Sequence, residues 1–139
     1  MSKVPTLVRD YMSSKVATLR EDQDVSEAVE VFTRYNVFSA VVLNNLGNLV
    51  GIVSVSDCIH IAMKSGYHTG WRGMVGELMS RDVRVVESTD NIINVAKMFM
   101  SDNYRRYPVI EDNRVVGVIT RLDVLKGLDR IVKSSQIPV

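Results

Sequence analysis

The residues best suited to chemistry lie close together near the C-terminus. Thr120 is followed three positions later by Asp123, where an apolar run, Val115–Ile119, gives way to a helical pattern. A helix start leaves backbone N–H groups without intrahelical partners and carries the positive end of the helix dipole. An anion such as phosphate can therefore lodge beside the Thr120 hydroxyl. A carboxylate one turn further on, Asp123, has the acceptors to hold both hydroxyls of a ribose. The same side chains also fit a plainer role, in which Thr120 caps the helix and Asp123 complements its dipole. Arg105-Arg106 stands directly before another apolar run, Tyr107–Ile110. Two guanidinium groups there can clamp phosphate through charge-assisted bonds, or stand as solvated cations at a helix–strand junction. Adjacent strand residues face opposite ways, so both reach one phosphate only across a bend.

Catalytic sets are missing by comparison. The chain has no Ser/His/Asp, Cys/His or paired-carboxylate motif, no P-loop and no Gly-x-Gly-x-x-Gly. The expectation is a protein that is not an enzyme. Cys58, His60 and His68 fit no closed zinc set, lack a fourth ligand, and place Cys58 and His60 off the i, i+4 spacing of one helix face, so no metal is expected. With one cysteine there is no disulfide framework.

The motif Thr120-x-x-Asp123 recurs as Ser54-x-x-Asp57, and the recurrence extends along the chain. At an offset of 67 positions Val8 matches Val75, Met12-Ser13 matches Met79-Ser80, Phe32 matches Phe99 and Val42 matches Val109. One residue is lost where Asn44–Gly47 meets Glu111–Asn113, and the offset becomes 66, aligning Val50-Gly51 with Val116-Gly117 and Asp57 with Asp123. Each half reads as a short strand (around Val16–Thr18 and Val83–Val86), then a helix (near Val25–Tyr35 and Ile92–Asp102). Their stripes Val25, Ala28, Val29, Phe32 and Ile92, Val95, Ala96, Phe99 follow helical spacing. Two β-branched runs joined by turn residues form a hairpin in each half. A closing helix runs from Ser56 to about Lys64 and from Arg121 to about Val132. The boundaries are residues 7–64 for the first motif, 65–73 for a glycine-containing linker, 74–132 for the second, and a loose tail over 133–139. Tyr67 and Trp71 in the linker read as a lid over the core edge or a partner surface.

This order of elements resembles a tandem pair of CBS domains, the module named after cystathionine β-synthase. The carrying residues are Val8–Ser13 and Val75–Ser80, the stretch Arg106–Ile110, and the signatures Val50-Gly51-Ile52-Val53-Ser54-x-x-Asp57 and Val116-Gly117-Val118-Ile119-Thr120-x-x-Asp123. The resemblance implies an α+β fold of two pseudo-symmetric β-α-β-β-α motifs packed sheet to sheet, a Bateman-type module. It also implies a regulatory sensor of AMP, ADP or ATP, with S-adenosylmethionine or a ligand-free scaffold as alternatives. By the same resemblance, basic residues at Arg105 and Arg106 contact phosphates. The first half has Phe38-Ser39 there, so the sites are expected to be unequal. The main site implied comprises Met12, Val16, Ala17, Val37, Phe38, Ser39, Arg105, Arg106, Thr120 and Asp123. The second comprises Ser54, Asp57, Met79, Val83 and Tyr104, with Arg84 nearby. Most of the apolar members also read as plain core.

Bulk properties are compatible with this. The 139 residues are 46% hydrophobic and 24% charged with a net charge of +1, giving no basic stripe for nucleic acid. No apolar segment resembles a signal peptide or membrane span, so a cytoplasmic protein is expected. No obligatory cofactor is expected, only an adenosine nucleotide as regulatory ligand. The expected partners are a second copy in a homodimer and a separate regulated protein, since the two halves use up the chain.

Overall fold

A computed structural model describes residues 4–65 and 73–135. The linker residues Tyr67, His68 and Trp71 and the last four residues of the chain lie outside that range. The architecture is α+β, with two three-stranded sheets in the orders β1-β2-β3 and β4-β5-β6. The first sheet contains β1 (Thr18–Arg20), β2 (Ser39–Leu43) and β3 (Leu49–Ser54); the second contains β4 (Val86–Glu87), β5 (Arg106–Glu111) and β6 (Arg114–Thr120). Each sheet pairs its first two strands parallel and its last two antiparallel. The opening strands start later than the sequence pattern suggests, because parallel pairing begins only at Thr18↔Val41 and Val86↔Val109.

Helix α1 (Val25–Tyr35) joins β1 to β2, and α4 (Ile92–Ser101) joins β4 to β5. Asp24 caps α1 by accepting the Glu27 N–H at 2.9 Å, and Asn91 caps α4 by accepting the Ile93 N–H at 2.8 Å. Val25, Ala28 and Phe32 are buried from α1, and Ile92, Val95 and Phe99 from α4, as helical spacing requires; Val29 is left at 36% exposure at the margin of its stripe. The two hairpins differ at their turns, where the repeat loses a residue. Asp112 and Asn113 both take positive φ, 51° and 62°, closing a two-residue turn between Glu111 and Arg114. The longer first turn is held by Asn44, whose Oδ1 accepts the Leu46 and Asn48 N–H groups, and it turns at Gly47 with φ 80°. Helices α2 (Val55–Ser65) and α5 (Arg121–Ser135) follow the hairpins directly. Of the tail expected over 133–139, residues 133–135 belong to α5, where Lys133 pairs with Asp129 one turn back at 3.0 Å, and the rest lies outside the described residues.

Two compact units result, and they cross the boundaries of the sequence repeat. One is Val16–Val83; the other combines Met1–Lys15 with Arg84–Val139. The opening segment of each repeat packs in the unit built from the other repeat's sheet. In the first unit, Val75 and Met79 join the core of Leu19, Val25, Phe32, Val42 and Val53, with a four-residue helix, α3 (Val75–Leu78), between them. In the second, Val8 is buried with Ile92, Val95, Phe99, Tyr107, Val109 and Ile119, with Tyr11 and Met12 against the cluster.

The attachment is the same in both units. Ser80 and Ile52 exchange backbone hydrogen bonds of 2.8 and 3.0 Å, and Ser13 and Val118 exchange two of 2.9 Å. A glycine lies beneath each. A Cβ on Gly51 would come within 2.5 Å of Met79 Sδ and 2.9 Å of the Ser80 carbonyl. One on Gly117 would come within 2.7 Å of both Met12 Sδ and the Ser13 carbonyl. Only a residue without a side chain lets the Met-Ser backbone approach this closely.

Candidate functional site

The strand-to-helix junctions put the two recurring motifs in matching geometry. β6 ends at Thr120 and α5 starts at Arg121. The Thr120 N–H donates to Asp123 Oδ2 at 2.9 Å, and the Asp123 N–H donates to Thr120 Oγ1 at 3.2 Å. At the end of β3 the Ser54 N–H donates to Asp57 Oδ2 at 2.8 Å and the Asp57 N–H donates to Ser54 Oγ at 3.1 Å. Both junctions are thus reciprocal capping boxes, and the plainer of the two sequence readings is realised twice. Capping does not use up these groups. Each hydroxyl serves as an acceptor and keeps its own hydrogen to donate. Among the described residues, Oδ1 of each aspartate makes no hydrogen bond, and all four side chains are half-buried. A hydroxyl donor, a spare carboxylate oxygen and the positive end of a helix therefore meet at one place in each unit.

The cations differ between the units. Arg106 stands directly opposite Thr120 in the antiparallel register, and Ser39 stands opposite Ser54. Directly opposed residues project from the same face with Cβ atoms about 5 Å apart, so Arg106 shares its face with the Thr120 hydroxyl. Arg105 precedes the strand and is exposed; its place is taken in the other unit by Phe38, 71% exposed. Among the described residues neither the Arg105 nor the Arg106 side chain forms an ion pair or hydrogen bond. Unengaged guanidinium groups beside a helix start suit an anion with several oxygens, such as phosphate.

Sequence reasoning missed a polar network beside these arginines. Asp102 Oδ1 accepts the Tyr104 N–H at 3.1 Å, and Oδ2 accepts the Tyr107 hydroxyl and Arg84 Nη1, the latter at 3.2 Å. Arg121, the first residue of α5, donates through Nε to the Tyr104 carbonyl at 3.0 Å and through Nη2 to the Asp102 carbonyl at 3.1 Å. Its guanidinium lies 5.1 Å from the centroid of Phe99, which stacks on Tyr107 at 4.3 Å. Partial burial works to raise the Asp102 carboxyl, but the Tyr107 hydroxyl, the Tyr104 N–H and the charges of Arg84 and Arg121 outweigh it and hold the group below the usual carboxylate range. Burial, then the bond to Asp102 and its charge, push the Tyr107 hydroxyl upward. A signal for the network existed in the repeat itself: Arg84, Asp102, Tyr107 and Arg121 fall opposite Ala17, Tyr35, Ala40 and Val55.

The remaining expected site residues divide between the units. Met12 lies with Thr120 and Asp123, its sulfur over Gly117, instead of with the first half's sheet. Val16, Ala17, Val37, Phe38 and Ser39 belong to the unit of Ser54 and Asp57, where Ala17 and Val37 pack against the core. Ser54, Asp57, Met79 and Val83 share that unit; Met79 is core at 8% exposure. Tyr104 belongs to the other unit, 6.0 Å from Tyr107 between ring centroids, and Arg84 is there also, held by Asp102. Burial and then the charge of Asp57 push the Cys58 thiol above its usual value, as befits a core cysteine. Among the described residues no cluster of His, Cys, Asp or Glu could hold a metal, and no helix is long and apolar enough to cross a membrane.

Two small mixed sheets, each closed by a helix capped through a Ser/Thr-x-x-Asp box, define a tandem β-α-β-β-α module. The CBS domain model matches residues 8–64 and 75–130, and the chain belongs to that family. It is 31% identical to the uncharacterized protein MJ1225 of Methanocaldococcus jannaschii over 87% of this chain, and spans 42% of that relative's length. The structure resembles CBSX2 of Arabidopsis thaliana in complex with AMP, at a TM-score of 0.77 and 24% identity, covering 92% of this chain and 99% of that one. It also resembles the CBS domain pair of protein MJ0100 in complex with 5-methylthioadenosine and S-adenosyl-L-methionine, at a TM-score of 0.73 and 26% identity, covering 87% of this chain and 98% of that one.

Proposed function

We propose that this protein is a regulatory module that binds an adenosine nucleotide and changes the activity of a separate partner, without catalysing a reaction itself. The observation that carries the reading is the pairing of Arg106 with Thr120 across the strand ladder, one turn from Asp123. The phosphate of AMP, ADP or ATP would take the Thr120 hydroxyl, the α5 N-terminus and the arginines 105 and 106. The ribose hydroxyls would go to the open oxygen of Asp123. Met12, over Gly117, supplies an apolar surface in the same unit. A complex of adenosine compounds in a family member 26% identical to this chain supports the ligand class. We place the protein in the cytoplasm as a homodimer, with a partner still to be identified.

A second reading has its own observation. The unit of Ser54 and Asp57 keeps the capping box but has Phe38 and Ser39 where the other has Arg105 and Arg106. That composition suits an adenosine ligand without a phosphate, such as S-adenosylmethionine, on Ser54, Asp57, Met79 and Val83.

Calorimetric titration of the purified, ligand-free protein with AMP, ADP, ATP and S-adenosylmethionine, repeated on Asp123→Ala, tests the proposal. Micromolar binding of a phosphate-bearing ligand, lost in the variant, is the expected result. Absence of heat with all four would replace the sensor by a ligand-free interaction module.

A further inference from the structure

We propose that Arg121 is a positioning residue, whose two hydrogen bonds to the Asp102 and Tyr104 carbonyls hold the loop that delivers Arg105 and Arg106 to the phosphate end of the site. The inference rests on the reading above for its functional consequence, but not for its structural one. The loop between α4 and β5 is tied from three directions. Tyr107, inside β5, donates its hydroxyl to Asp102; Arg84 reaches the same carboxylate from before β4; Arg121 spans two carbonyls from the start of α5. A planar guanidinium with fixed donors is suited to bridging two acceptors on neighbouring residues, and its stacking over Phe99 fixes its plane.

Among the described residues the other unit makes no such side-chain ties. At the matching positions it has Val55, Ala40, Tyr35 and Ala17, and its loop is held by backbone bonds alone, the Val55 N–H to the Phe38 carbonyl at 2.8 Å and the Val37 N–H to the Phe32 carbonyl at 3.1 Å. Among the described residues the ties are thus present where two like charges stand side by side, one on a short loop and one at the start of β5, and absent where Phe38 and Ser39 stand. Neighbouring guanidinium groups repel, and a loop free to spread them would lose alignment with a single anion. Holding the loop before the ligand arrives lowers the ordering cost of binding. Arg121 directs Nε and Nη2 at the loop, so its effect on a phosphate passes through the two arginines it places.

Arg121→Lys is the decisive variant, because a lysine keeps the charge but cannot bridge both carbonyls as a fork does. Two measurements are made on it: amide hydrogen exchange over residues 102–106 in ligand-free protein, and titration with AMP and with adenosine. We expect exchange at the Tyr104 amide to speed up by about tenfold with the melting transition retained. AMP affinity should fall about tenfold while adenosine affinity stays unchanged. Exchange equal to wild type overturns the proposal. So does an equal loss for AMP and adenosine, which would mark a general structural role. Retained AMP affinity in Arg121→Lys with loss in Arg121→Gln overturns it too, because the charge would then act on the phosphate directly. If wild-type protein binds no AMP, the functional reading falls and the exchange result alone decides the loop tie.

Discussion

In the unit of Val16–Val83, Ser54 faces Ser39 across the sheet edge; in the other, Thr120 faces Arg106. The backbone arrangement around these pairs is the same. Both units have a reciprocal cap with distances within 0.1 Å of each other, the same strand order, and a glycine under a Met-Ser segment. The charges are not the same. Arg84, Arg105, Arg106 and Arg121 stand opposite Ala17, Phe38, Ser39 and Val55. Four neutral positions against four cationic ones cannot come from a difference in fold. The contrast teaches that the repeated scaffold supplies the hydroxyl and carboxylate twice, while the cationic side chains at these positions are present in one copy only.

The comparison breaks most directly at the arginines. Exchanging Arg105→Phe and Arg106→Ser should lower AMP affinity by about a hundredfold, since two charge-assisted contacts are lost. The converse pair, Phe38→Arg with Ser39→Arg, should add a second AMP equivalent in a calorimetric titration. Unchanged affinity after the first exchange would mean the units do not differ in what they bind. The shared part of the comparison is tested by Gly51→Ala and Gly117→Ala. Each places a methyl group against a backbone carbonyl, and each should cost about 1–3 kcal/mol, read as similar drops in melting temperature. A large drop for one and none for the other would show that the Met-Ser attachments are not equivalent.

A smaller effect concerns acid stability, where only one unit has the Asp102 network. The folded protein holds Asp102 below the ordinary carboxylate range, so the group's stabilisation is present at neutral pH and is lost as pH falls through its folded value. Wild type should melt higher than Asp102→Asn at pH 7, and the gap should close as pH falls through and below the ordinary carboxylate range. A gap that stays constant would show that the charge on Asp102 contributes nothing.

The repeat, the hairpins and the capping residues at the two strand-to-helix junctions were legible in the sequence, because each follows a local rule of period or spacing. Thr120 and Asp123 stood out through their recurrence as Ser54 and Asp57. The capping box shows why one reading did not exclude the other: a hydroxyl that accepts can still donate. The exchange of opening segments was not legible. Val8–Ser13 and Val75–Ser80 are so alike that the same alignment results whichever sheet each one joins. The Asp102 network was hidden for a different reason. Its members come from four separate elements and share no spacing, so they stood out only as polar residues lacking a counterpart in the other repeat.

The exchanged segments have a consequence for folding and descent. Val16–Val83 is contiguous in the chain, but its companion closes only after that entire stretch has been synthesised, since Val8 must find Ile92, Phe99 and Ile119. The first unit can complete during translation, and the second must wait for the last helix. A chain severed in the linker would give two fragments, each carrying the strap that fits the other and lacking its own. An ancestral protein with one repeat would have had to borrow that strap from a second molecule, in the manner of a domain-swapped pair. Gene duplication would then have turned an exchange between molecules into one within a single chain.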